Sequence, residues 1–137
     1  MAQIILVAHG FLAVEMKNSL EMIFGENDRF HPIAFEKQDG LESLEEKLKT
    51  TLDRNNEPTL IMTDLFCGTP YNASCSIALK EEQEIQVISG MSLPLVLEAA
   101  SLIETESINE IACKMKELAE QTVQCFAGEL IEEEEEL

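Results

Sequence analysis

The chain has 137 residues, 45% of them apolar, and carries 27 acidic against 9 basic side chains for a formal charge of −18. That length and apolar content suit one domain with a sizeable core. The acidic balance argues against nucleic acid and anionic membrane surfaces as partners, since both would be repelled.

No stretch reaches the roughly 20 apolar residues of a membrane-spanning helix. The chain opens on strand-like sequence with no signal-peptide pattern, so a cytoplasmic location is expected. Cys67, Cys75, Cys113 and Cys125 form no C-x-x-C pair and lie far in sequence from His9 and His31. A metal site would want tighter spacing and a disulfide framework a smaller secreted chain, so free thiols, no metal and no cofactor are expected.

The first element is the continuous apolar run Gln3-Ile4-Ile5-Leu6-Val7-Ala8, closed by His9 and Gly10. Such a run reads as a strand buried on both faces, as in a parallel sheet. Ligands of open α/β sheets bind beyond the carboxyl ends of these strands, which is where His9 falls. A helix follows over 12–24, with Leu12, Met16, Leu20, Ile23 and Phe24 as its apolar face and Gly25 as its stop. Phe30-His31-Pro32-Ile33-Ala34-Phe35 is a short strand, and its proline confines it to a sheet edge. His31 beside that proline reads as an edge-strand surface histidine.

Asp39 is a candidate N-cap for a helix whose stripe is Leu41, Leu44, Leu48 and Leu52. Thr59-Leu60-Ile61-Met62-Thr63-Asp64 is the third strand and ends, like the first, in a polar residue. Thr69-Pro70 then signals a helix start, with Thr69 as cap, and Ser92-Leu93-Pro94 repeats the signal after a fourth strand over 85–89. Ser107-Ile108-Asn109-Glu110 is a capping box for a last long helix through Ile111, Met115, Leu118 and Ala119. Five consecutive glutamates, 132–136, precede Leu137.

Strands alternating with helices imply an α/β, three-layer, doubly wound and mainly parallel sheet with helices on both faces. With the proline strand at an edge, the expected order is 2-1-3-4. The switch point then falls between strands one and three and brings His9 beside Asp64. A carboxylate on one imidazole nitrogen fixes the tautomer and leaves the other free to attack. The helix starts at Thr69 and Ser92 offer backbone N–H groups to an anion, Gly68 permits close backbone approach and the Thr69 hydroxyl adds a donor. Neither loop holds Lys, Arg or a P-loop, which disfavours nucleoside triphosphate chemistry.

Three segments, Ala8-His9-Gly10-Phe11, Asp64-Leu65-Phe66-Cys67-Gly68-Thr69-Pro70-Tyr71-Asn72 and Gly90-Met91-Ser92-Leu93-Pro94, together resemble the mannose-family IIA component of the bacterial phosphoenolpyruvate-dependent sugar phosphotransferase system. The resemblance runs from the first strand to the last long helix. It implies a phosphoryl carrier, a phosphotransferase component whose His9 takes phosphate from the phosphocarrier HPr and passes it to a IIB component, with membrane IIC and IID components as indirect partners. Asp64 would orient the imidazole, and Gly10, Cys67, Gly68, Thr69 and Met91 would form the phosphate-binding set. The family loop often reads D-x-x-G-G-[ST]-P-x-N, so Cys67 stands where a second glycine is usual, and Ser92 where asparagine is usual. Cys67 is expected to be a packing residue there.

The resemblance further implies a homodimer in which a C-terminal antiparallel strand, within 123–131, is exchanged. Residues 1–126 would then be the phosphocarrier domain and 127–137 the strand and acidic tail. Other readings are a phosphoryl-donor subunit of a dihydroxyacetone kinase, a non-catalytic flavodoxin-like anion-binding module, a receiver domain phosphorylated on Asp64, and a Cys67/His9 thiol hydrolase.

Overall fold

The computed structural model describes residues 1–127. Its elements run β1 (Gln3–His9), α1 (Leu12–Phe24), β2 (Phe30–Phe35), α2 (Leu41–Asn55), β3 (Thr59–Thr63), α3 (Thr69–Lys80), β4 (Ile85–Ile88), α4 (Leu93–Leu102) and α5 (Ile108–Gln121). The four strands form one sheet of order β2-β1-β3-β4, every pair parallel. The expected class and strand order therefore hold.

Strand periodicity divides the core in two. Ile4, Leu6 and Ala8 of β1 point to one face, where they pack with Ala13 and Leu20 of α1, Val96 and Ala99 of α4, and Ile111 and Met115 of α5. Ile5 and Val7 point to the other and meet Leu44, Leu48 and Leu52 of α2 with Ala73 and Ile77 of α3. Because both faces are covered, β1 and β3 are buried along almost their whole length, and this is why they read as unbroken apolar runs.

The two sheet edges differ. In β2, Arg29 and Phe35 carbonyls accept from Ile4 and Gly10 of the β1 side, so the alternation turns Phe30, Pro32 and Ala34 outward. Pro32 has no N–H, and the Ala34 carbonyl accepts from Lys47 Nζ at 2.9 Å. This edge is closed to further pairing. In β4 the outward residues are Ile85 and Val87, since the Glu84 carbonyl accepts from Thr59 N–H and the Ile88 carbonyl from Thr63 Oγ1. That edge contains no proline.

Several local expectations need correction. On α1 the buried residues are Ala13 and Leu20, whereas Leu12, Ile23 and Phe24 are exposed. The helix packs through its smallest residue, which a stripe of large side chains does not reveal. Asp39 lies one residue before the α2 cap position, Gly40; its Oδ1 accepts from the Ser43 hydroxyl and its Oδ2 from Lys47 Nζ. The lysine ammonium, with the Glu36 backbone N–H, pulls the Asp39 pKa down to about 2. Residues 123–127 follow α5 without regular structure in the single chain, and 128–131 with the glutamate run lie outside the described residues.

Candidate functional site

β1 and β3 are adjacent and paired with Val7 opposite Thr63, so the residues leaving the sheet there are His9 and Asp64. His9 Nδ1 lies 2.8 Å from Asp64 Oδ2, and the same oxygen accepts the His9 backbone N–H at 3.0 Å. Asp64 Oδ1 accepts the Leu65 N–H at 3.0 Å. The aspartate side chain is 10% exposed and the histidine 47%, so the pair has a buried orienting end and an open reacting end.

Burial pushes the Asp64 carboxyl upward, but the His9 backbone N–H, the His9 ring and its charge, and its own backbone outweigh it and hold the pKa below the ordinary 3.8. Asp64 is therefore ionised near neutrality. An ionised carboxylate only accepts, so Nδ1 carries a proton and, in the neutral ring, Nε2 keeps its lone pair.

The loop after Asp64 closes on the open side of the ring. A Cβ on Gly68 would lie 3.4 Å from His9 Cε1 and 3.4 Å from Leu65 Cβ. Gly68 has φ −77°, so its backbone does not require glycine; a Cβ there would just touch the ring, and the branches of a larger side chain would press on it. Gly68→Val should fold normally and displace the His9 ring, read as a shifted His9 Cε1–H resonance beside an unchanged thermal midpoint.

Cys67 is the residue in the left-handed region, with φ +63°. Contrary to the expected packing role, its side chain is exposed. Asn72, in the first turn of α3, holds this loop: its Nδ2 donates to the Cys67 carbonyl at 3.3 Å and its N–H to the Gly68 carbonyl at 2.9 Å. Left-handed geometry costs an L residue about 1–2 kcal/mol, and glycine adds about 0.5–1 kcal/mol of chain entropy. Cys67→Gly should therefore stabilise the fold by about 0.5–1 kcal/mol, read as a higher urea midpoint.

α1 and α3 begin at the carboxyl ends of β1 and β3, the strands flanking the switch point, α4 begins beyond the carboxyl end of the neighbouring β4, and none has a side-chain hydrogen bond at its N-cap. By contrast, the α5 cap Ser107 accepts the Glu110 N–H, and the Gly40 N–H at the α2 cap donates to Ser43 Oγ. The expectation that Thr69 caps α3 is corrected: the cap position is Gly68, with Thr69 and Pro70 already in the helix. Ser92 does occupy the α4 cap position, yet its buried Oγ has no partner among the described residues.

Among the described residues, the N–H groups of Phe66, Cys67 and Thr69 and the Thr69 hydroxyl have no protein partner. Positive helix ends with spare donors favour an anion without any Lys or Arg.

Two members of the expected phosphate-binding set are placed differently. The Gly10 N–H donates to the Phe35 carbonyl at 2.8 Å and the Met91 N–H to the Thr63 carbonyl at 2.9 Å. Both donors are spent on fixing strand ends, so Gly10 and Met91 shape the site without offering it a backbone donor. The Gly68 N–H makes only a long contact to the Leu65 carbonyl, at 3.3 Å. Sequence reasoning missed two contributors. The α1 N-terminus carries no cap residue to signal it, its cap position being Phe11. The Phe35 ring stands perpendicular to the His9 imidazole, with centroids 5.4 Å apart.

His31 is elsewhere, opposite Ile5 in the register and four residues short of the end of β2. Burial, aided by Lys17 and Arg54, lowers its pKa against the opposing pull of Asp28 and Glu57.

The chain matches the family model described as the fructose IIA component of the phosphotransferase system, EIIA-man, over residues 3–116. It is 40% identical to a sorbose-specific EIIA component from Lacticaseibacillus casei over 120 residues, covering 87% of this chain and 86% of that one. It is 33% identical to a fructose-specific EIIA component from Bacillus subtilis (strain 168), covering 95% and 90%. A solved EIIA structure from Streptococcus agalactiae superposes with a TM-score of 0.85 at 27% identity, covering 92% of this chain and 98% of its own. The model match spans the whole sheet, His9 and the 64–72 loop, and the relatives align along nearly their full lengths. The chain belongs to the mannose-type IIA family of the sugar phosphotransferase system and is a phosphotransferase component of sugar uptake.

Proposed function

We propose that this component carries a phosphoryl group on His9 Nε2, taking it from phospho-HPr and delivering it to a IIB component. The observation that carries the reading is the His9–Asp64 pair: Nδ1 is committed at 2.8 Å, leaving Nε2 as the free nucleophile beside uncapped helix ends. The Nε2 lone pair attacks phosphorus in line, the bond from phosphorus to the histidine of HPr breaks, and its electron pair returns to that histidine. The His9 ring gains positive charge as the bond forms, and the Asp64 carboxylate stabilises it through Nδ1–H. The N–H groups of Phe66, Cys67 and Thr69 with the Thr69 hydroxyl hold the phosphoryl oxygens, and Gly68 leaves room for them. Transfer to the IIB component runs the same step in reverse.

The working form in this reading is a cytoplasmic homodimer, with membrane IIC and IID components reached through the IIB component. The unblocked β4 edge supports it. Ile85 and Val87 turn their backbone groups outward there, beside a groove of about 450 Å³ that includes Val87, Leu95, Met115 and Lys116. Such an edge suits an antiparallel strand from a second copy. No helix among the described residues is long and apolar enough to cross a membrane.

Incubation with phosphoenolpyruvate, enzyme I and HPr should yield an acid-labile, base-stable phosphoprotein that discharges onto a IIB domain. A protein that binds phosphate reversibly yet never becomes labelled would instead be a plain anion-binding module.

A further inference from the structure

We infer that Phe35 is a positioning residue for phosphoryl transfer, its ring holding the His9 imidazole so that Nε2 stays aimed at the 65–69 loop. The inference rests on the proposal that His9 is the phosphoryl acceptor.

A single hydrogen bond at Nδ1 fixes where one ring atom sits but lets the ring tilt about that contact. His9 is nearly half exposed, so burial does not stop the tilt. Its aromatic neighbour does. Gly68, whose missing Cβ would stand 3.4 Å from Cε1, leaves that edge of the ring open. Phe35 stands at 89° to the imidazole plane with centroids 5.4 Å apart, within the range of a perpendicular aromatic pair.

The fold puts Phe35 there by register. It is the last residue of β2 and the direct partner of His9 across the β1–β2 ladder, so the two side chains share one face of the sheet. Its inner part packs with the residues buried between the sheet and α2 and α3, which keeps the ring from moving away. Its carbonyl separately accepts the Gly10 N–H. That backbone bond survives any change of side chain, so substitution tests the ring alone. Asp64 reaches the imidazole from β3 and Phe35 from β2, and His9 is clamped between the two strands that flank its own.

The test compares wild type with Phe35→Leu, which keeps apolar volume but removes the ring, and Phe35→Tyr, which keeps the ring. Single-turnover transfer from phospho-HPr is followed together with the KM for phospho-HPr and the Nδ1–H resonance of His9. Phe35→Leu should slow transfer about tenfold, less than the roughly 100-fold cost of a full misplacement. KM should stay within about twofold, and the Nδ1–H signal should broaden by faster exchange. Phe35→Tyr should restore both rate and signal. If Phe35→Leu does not fold, Phe35→Met poses the same question.

A parental rate in the ring-less variant overturns the inference, as does a loss confined to KM, which would make Phe35 a docking residue. Failure of the underlying reading looks different, because wild type itself would then not be labelled on His9.

Discussion

His9→Ala is expected to fold and to take up no phosphate from phospho-HPr, a loss of at least 1,000-fold on the scale of removing a nucleophile. The fold survives because His9 contributes little burial. Its backbone N–H still donates to Asp64 Oδ2, so the carboxylate keeps a partner on each oxygen. The stability lost with the ring hydrogen bond is about 1 kcal/mol. A circular dichroism melt beside the labelling gel separates the two effects. A variant that labels like the parent would move the acceptor to another residue.

Asp64→Asn should lower transfer by about 100- to 10,000-fold while leaving the sheet intact. The size follows from the donors that converge on this side chain. Oδ2 faces two N–H groups of His9, and Oδ1 faces the Leu65 N–H. An amide cannot serve both sides. With its oxygen at the Oδ2 position, its NH₂ meets the Leu65 N–H. Turned over, its NH₂ meets His9 and forces the proton onto Nε2, where it blocks attack. Either orientation also removes the negative charge that stabilises the ring during transfer.

The pH dependence has a definite sign. Asp64 has a folded-state pKa below its ordinary 3.8, so its contribution to stability is fully present above that value. It is lost as pH falls through the lower folded-state value. In the Asn variant this acid-side loss should disappear from a stability profile taken between neutral pH and pH 2.

The sequence exposed the site largely through strand order. Pro32 puts β2 at an edge, the two unbroken apolar runs must then be central, and neighbouring central strands bring His9 and Asp64 together. None of this required side-chain detail. What stayed hidden depends on local geometry. Thr-Pro marks a helix start without saying whether the threonine hydroxyl caps it, and here Thr69 lies one residue inside. That the Gly10 and Met91 N–H groups are spent is not visible in the sequence, because it does not show that each strand end bonds its neighbour. Cys67 looked like a side-chain question, whereas its peculiarity is a left-handed backbone in a place where the family's pattern has glycine. Phe35 carried no motif, and only the pairing register sets it against His9.

In the proposed carrier the phosphoryl group sits on Nε2 of His9 while Nδ1 keeps its proton, donated to Asp64. This placement is tested most directly by ³¹P–¹⁵N coupling in the phosphoprotein labelled with ¹⁵N-histidine. The expected result is one-bond coupling to Nε2 of His9, with a protected Nδ1–H still present. Phosphorus coupled to Nδ1, or carried by any other residue, would contradict it.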